Sequence, residues 1–102
     1  MLWADNESVN ELKKLSIEGL TINMSIYSTF EQVGLLGQTI KSNDETITTT
    51  AGDICLYQSN QIVLFYGANT YEYTKLGHMQ LSQTELEELL GEDNVVISFL
   101  LK

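Results

Sequence analysis

The chain contains no proline and no arginine, and it has one cysteine and one histidine in 102 residues. Each shortage excludes something. Cys55 has no second cysteine to pair with, so the disulfide framework of a small secreted domain is ruled out. Zinc needs three or four His, Cys or carboxylate ligands, and this chain is short of the first two, so no metal or other cofactor is expected. Five lysines stand against 14 acids, giving a net charge of −9 and a pI near 4.2. Nucleic acid and anionic membrane surfaces are held mainly by cationic neutralisation of phosphate, so neither is an expected partner. No apolar run reaches the ~18 residues of a membrane span. The first residues lack a basic-then-apolar leader pattern, and a cytoplasmic location is the expectation. No glycine-rich loop precedes a helix, which leaves phosphate cradling unsupported.

What is present fits one domain over residues 1–102, with no repeat, linker or low-complexity segment. The spacing predicts a first helix over Asn6–Leu15, capped by Asp5, with Val9, Leu12 and Leu15 on one face and Lys13 and Lys14 at the end the dipole favours. The period then drops to two. Leu20, Ile22, Met24 and Ile26 alternate with polar residues as a half-buried strand. Phe30 to Ile40, with Gly34 and Gly37, reads as bent strand segments, and Thr46 to Thr50 as an edge strand. Ile54–Tyr57 and Gln61–Tyr66 flank Gln58-Ser59-Asn60 as a hairpin, and Tyr71 to Met79 supplies a further strand. A second helix over Gln83–Leu90 is marked by the Ser82-x-x-Glu85 capping box, a Leu81–Leu86 staple, buried Leu86, Leu89 and Leu90, and a Gly91 stop. Val95 to Leu101 is a last strand, apolar on both faces. Many short antiparallel strands with two short helices predict a mainly β fold, a β-barrel whose helices plug its ends.

Residue chemistry alone points to no reaction. A Cys55–His78 nucleophilic pair lacks anything electropositive beside the cysteine, which sits in a strand, so a buried, inert thiol is the simpler reading. Glu85, Glu87, Glu88, Glu92 and Asp93 form an acidic cluster without the alternating ligands and glycine turn of a calcium loop, and read as a solvated helix face. Tyr27, Phe30, Tyr57, Phe65, Tyr66, Tyr71 and Tyr73 gather in the middle of the chain. Strand aromatics are commonly core, but a few of these can line a shallow cleft for an extended peptide or a small ligand.

Six segments stand in an order that resembles one known group: Asp5-Asn6-Glu7-Ser8, Tyr27 to Gly34, Leu36-Gly37-Gln38, Ala51-Gly52-Asp53-Ile54, Ile62 to Gly67 and Tyr73 to Gly77. Together they resemble the short bacterial cyclophilin-like domains, most of which have no assigned function. The resemblance implies a closed or nearly closed barrel related to that of the peptidyl-prolyl isomerases. It also implies a ligand groove, with Phe30, Gln32, Tyr57, Phe65, Tyr73 and His78 as candidate lining residues. Fold does not carry activity with it. True cyclophilins place their catalytic arginine in a Phe-His-Arg-Val stretch, where this chain has Phe30-Glu31-Gln32-Val33. Gln32 offers an amide hydrogen bond but no charge. Trp3 is too near the N-terminus to match the tryptophan of the cyclophilin groove. Ile40-Lys41 replaces a frequent Leu-Pro, implying a less rigid loop, and the resemblance leads us to expect the family's first strand to be lacking before Leu2. Two functions follow: a non-catalytic binding module with a degenerate groove, or a weak isomerase acting without arginine. The short N-terminal segment also implies an open barrel seam beside Val95–Leu101, through which copies could self-associate.

Overall fold

The computed structural model describes residues 2–17, 19–28, 31–90 and 95–99. Asn6, not Asp5, starts the first helix, α1 (Glu7–Ser16). Its backbone is extended, its Oδ1 accepts from the Val9 amide at 2.9 Å, and its Nδ2 donates to the Lys75 carbonyl at 2.7 Å. One side chain therefore caps the helix and ties it to a strand 69 residues away, which Asp5 could not do without an N–H donor. Val9 and Leu12 are fully buried beneath α1, with Leu15 packed beside them.

The strands are β1 (Leu2–Trp3), β2 (Leu20–Asn23), β3 (Ser25–Ser28), β4 (Glu31–Leu35), β5 (Glu45–Thr48), β6 (Asp53–Tyr57), β7 (Gln61–Phe65), β8 (Thr70–His78) and β9 (Val96–Phe99). The second helix, α2 (Gln83–Leu90), lies between β8 and β9. Seven strands form one antiparallel sheet in the order β1-β8-β6-β7-β4-β3, with β5 also paired to β8, while β2 and β9 pair only with each other. The fold is mainly β with antiparallel pairing and two helices, but the ladder does not run round into a closed barrel. The α2 box forms as the sequence indicates: the Glu85 amide donates to Ser82 Oγ at 3.2 Å, and the Ser82 amide donates to Glu85 Oε1 at 3.1 Å. Leu86 is fully buried with Leu81 against the same core. Gly91, Glu92, Asp93 and the last three residues lie outside the described residues, as do the side chains of Leu89 and Leu90.

The expected single strand from Leu20 to Ile26 breaks in two at Met24. β2 pairs with β9, the Met24 amide donates to the Val95 carbonyl, and β3 then pairs with β4. Ile22 and Met24 keep their buried places, whereas Ile26, past the corner, is exposed. The corner crosses directly over Gly34 of β4. A Cβ on Gly34 would meet Met24 Sδ at 2.5 Å and the Asn23 carbonyl oxygen at 2.6 Å.

At the N-terminus, β1 pairs with Gly77–His78, the end of the long strand β8, and the Ala4 amide extends this to Leu76; among the described residues no ladder joins β1 to β9. Trp3 still reaches across to β9, its ring centroid 6.2 Å from that of Phe99. The loop containing Ile40-Lys41 is firmly held despite the lost proline. The Lys41 amide donates to Glu11, its carbonyl accepts from Ser8 Oγ, and its ammonium pairs with Glu7. A proline there would have no N–H to give.

Gly34→Ala is expected to lower unfolding stability by about 2–3 kcal/mol, because backbone as well as side chain must yield. Gly37→Ala, strained only by its φ of +90° with nothing within 4 Å of an added Cβ, should cost about 1 kcal/mol. Urea denaturation of both variants checks the order.

Candidate functional site

Strand alternation divides the central sheet into two faces. Ile54, Leu56, Ile62, Leu64 and Leu76 point into the main core with α1, α2 and the β2–β9 ribbon. Cys55, Val63, Phe65 and Tyr73 point the other way, forming a second apolar cluster joined by Val33, Ile47 and Tyr57. Above this second face opens a cleft of about 580 Å³. Its floor comes from Glu31 and Val33 of β4 and Val63 of β7. Tyr57, Gln58 and Gln61 form one side at the β6–β7 hairpin, and Asn69, Tyr71 and Tyr73 form the other at the start of β8.

The aromatic wall is a three-ring cluster. Tyr57, Tyr71 and Tyr73 have mutual centroid separations of 5.8–6.0 Å at interplanar angles of 56–59°. Phe65 supports it from behind, edge-on to Tyr73 at 5.2 Å. Such tilted pairs contribute about 0.5–1.5 kcal/mol each beyond area burial. Tyr73 is buried and its hydroxyl accepts from Asn69 Nδ2 at 3.0 Å, while Tyr71 stays half exposed.

Glu31 is the unusual residue. It is only 5% exposed, lines the cleft, and has no hydrogen-bond or ion-pair partner among the described residues. Burial pushes its carboxyl pKa up. It is also the only formal charge among the described residues that line the cleft.

Of the six lining residues implied by sequence, the structure brings together Tyr57, Tyr73 and the supporting Phe65. Phe30 lies outside the described residues. Gln32 is fully buried and sits opposite Leu64, on the main-core side of β4, so it does not reach the cleft. His78 is at the far end of β8, where its Nδ1 lies 2.7 Å from Asp53 Oδ1. Glu31 and Tyr71 complete the cleft in their place. The available signal was parity: residues 31 and 33, and 71 and 73, fall on one face of their strands, and Gln32 on the other.

The Asp53 cluster is a structural tie. A register shift between Ile54 and Cys55 inserts Leu76 as an extra residue, which brings both Lys75 and His78 to the Asp53 carboxylate. Burial alone would raise the Asp53 pKa, but the Thr50 backbone amide, His78 and Lys75 together hold it below the ordinary value. The preceding Gly52, at φ +100°, leaves no space for a side chain beside the Met79 carbonyl and the His78 ring. Cys55 lies nearby but fully buried, and burial, reinforced by Asp53, pushes its thiol up to about 12. At neutral pH it is held as the neutral thiol, away from solvent. Among the described residues, no three His, Cys, Asp or Glu side chains converge to hold a metal ion. No helix there is long and apolar enough to cross a membrane.

The open sheet with end-packed helices and the ordered Tyr27–Gly34, Ala51–Ile54 and Ile62–Gly67 segments point to one family, whose profile matches residues 1–99. The chain belongs to the cyclophilin-like family. No curated protein and no solved structure matches it significantly. Within this cyclophilin-like chain, the charged side chain that reaches the cleft from the described part of the Phe30–Val33 stretch is the acid Glu31, beside Val33.

A carboxyl raised on folding opposes stability once ionised. Glu31→Gln should therefore stabilise the protein at pH 7, seen as a higher urea midpoint. The difference should vanish below about pH 4, where Glu31 is protonated in both folded and unfolded states. Tyr66, Tyr73 and Cys55, the titratable groups coupled to Glu31, remain neutral throughout this window. Urea midpoints of both proteins from pH 3 to pH 8 measure the effect.

Proposed function

We propose that this cyclophilin-like domain is a non-catalytic binding module that takes an extended peptide or small ligand in the Tyr57–Tyr71–Tyr73 cleft. The observation that carries the reading is the cleft itself: about 580 Å³, walled by packed aromatics, with amide side chains at its rim. Recognition sites commonly have this make-up, mostly apolar walls with a few placed polar groups. Catalysis of prolyl isomerisation is less well supported, because electrostatic help for the twisting amide needs a donor or cation aimed at it. The chain has no arginine, and Gln32 faces the main core. Gln32→Arg would bury a charge rather than equip the cleft.

The expected result is that cis/trans relaxation of a proline tetrapeptide proceeds at the buffer rate. In parallel, NMR screening of small ligands and peptides should shift resonances of Tyr57, Tyr71 and Val33. Catalysed relaxation that is lost in Tyr71→Ala would replace this reading with the isomerase.

We further propose that copies associate through β9. One edge of β9 pairs with β2, and the other carries no ladder among the described residues, with Val96 exposed at 57%. Such an edge is a template for another strand. The net charge of −9 opposes association, so dimer content should rise with salt as repulsion is screened. Light scattering on a size-exclusion column checks this; a single 11.5 kDa species at every salt concentration would sink it.

A further inference from the structure

The cleft combines two features that a general binding surface does not need: a buried carboxylate without a counter-charge among the described residues, and tyrosine rings lining the same space. Glu31 is 5% exposed and without a described partner, although the chain carries five lysines. The cations with visible partners are committed elsewhere. Lys41 pairs with Glu7, Lys75 with Asp53, and Lys13 lies 5.3 Å over the Trp3 ring. No lysine is among the described cleft residues, so an incoming cation meets no competitor there. Aromatic faces attract cations through their negative quadrupole, most strongly where water is excluded. Gln58, Gln61 and Asn69 add side-chain carbonyl oxygens at the rim, which can accept from N–H donors. The protein's own use of Lys13 over Trp3 shows the same attraction at its surface.

We propose that the cleft binds a primary alkylammonium group, as a free amine or as a lysine side chain of a peptide, between Glu31 and the rings of Tyr57 and Tyr71. This rests on the ligand-binding reading above and names its ligand chemistry. The carboxylate and amide oxygens accept hydrogen bonds, and a primary ammonium has three to give, whereas a quaternary ammonium has none. Charge-assisted bonds to a buried acid are among the stronger polar contacts. Pairing also removes the penalty of holding an ionised Glu31 away from water. Burial favours the protonated acid, so binding should hold Glu31 in its ionised form. The alkyl stem lies against Val33 and Val63.

The test titrates the whole protein at pH 7 with n-butylammonium, n-pentanol and butyrate, followed by NMR. The amine should shift Tyr57, Tyr71 and Val33 and bind at least tenfold more tightly than the alcohol or the acid. Glu31→Gln should weaken amine binding about tenfold or more. Tyr71→Ala, at a residue 54% exposed and outside the buried core, should weaken it about two- to fivefold. A tripeptide with a central lysine and blocked ends separates the sources. Tighter binding than butylammonium assigns a peptide ligand, and equal or weaker binding assigns a free amine. Undiminished amine affinity in Glu31→Gln overturns the proposal, as does equal binding of pentanol. If uncharged ligands still shift the cleft residues in that case, the binding reading survives without its cation. If no probe moves them, both fail.

Discussion

Two strands at the centre of the sheet, β6 and β7, bury both of their faces, and the rest of the molecule is arranged around that demand. Ile54, Leu56, Ile62 and Leu64 need cover on one side and Cys55, Val63 and Phe65 on the other. Both helices and the β2–β9 ribbon seen among the described residues go to the first side. The second side has to be closed by side chains alone. Tyrosine suits this position because its ring covers apolar neighbours while its hydroxyl reaches a polar partner or water. The aromatic wall is thus a packing solution before it is a site. Its incomplete closure, with Tyr71 half in solvent, leaves the cleft.

Glu31 shows that the second face is not optimised for stability. An apolar side chain at that position would extend the cluster formed by Val33 and Val63, and glutamine would remove the charge at nearly constant shape. A buried, unpaired acid opposes folding in the pH range where it ionises. Asp53 is the contrast within the same sheet. It is equally buried, yet it is satisfied by a backbone amide, an imidazole and an ammonium, and its pKa moves down rather than up. Both acids face the same side of the sheet. What separates them is the presence of partners, and the bulge at Leu76 delivers two of those partners to Asp53 and none to Glu31.

Much of the fold was legible because local signals and tertiary demand agreed. The Ser82–Glu85 box starts α2, and the Gln58-Ser59-Asn60 loop joins β6 to β7, with Gln58 and Ser59 at positive φ. Where sequence reading failed, a long-range contact decided. Asp5 and Asn6 are both competent caps, and the carbonyl of Lys75 selects Asn6. Alternation from Leu20 to Ile26 gives no hint of a corner, which exists because Gly34 lets Asn23 and Met24 pass close above β4. The partner of β1 could not be read from two residues, since the free end of the long β8 competes with β9 for them. The candidate site was half legible for a similar reason. Tyr57 and Tyr73 announce themselves as aromatics, whereas choosing Glu31 over Gln32 requires knowing which face of β4 meets the core.

The distribution of charge follows from the same geometry. With 14 acids and five lysines, most carboxylates must do without a cation, and at the surface water screens this at little cost. The lysines settle where they complete structure: Lys41 fixes its loop to α1, Lys75 joins Asp53, and Lys13 covers Trp3 beside the β1–β9 gap. None of these three lysines lines the cleft, although β8, which carries Lys75, also supplies Tyr71 and Tyr73 to it. Glu31 is left as the one formal charge among the described cleft residues, where apolar neighbours screen it less than water screens the surface acids. Which residue of β4 faces outward, Glu31 or Gln32, thus sets the charge of the cleft with no change of architecture.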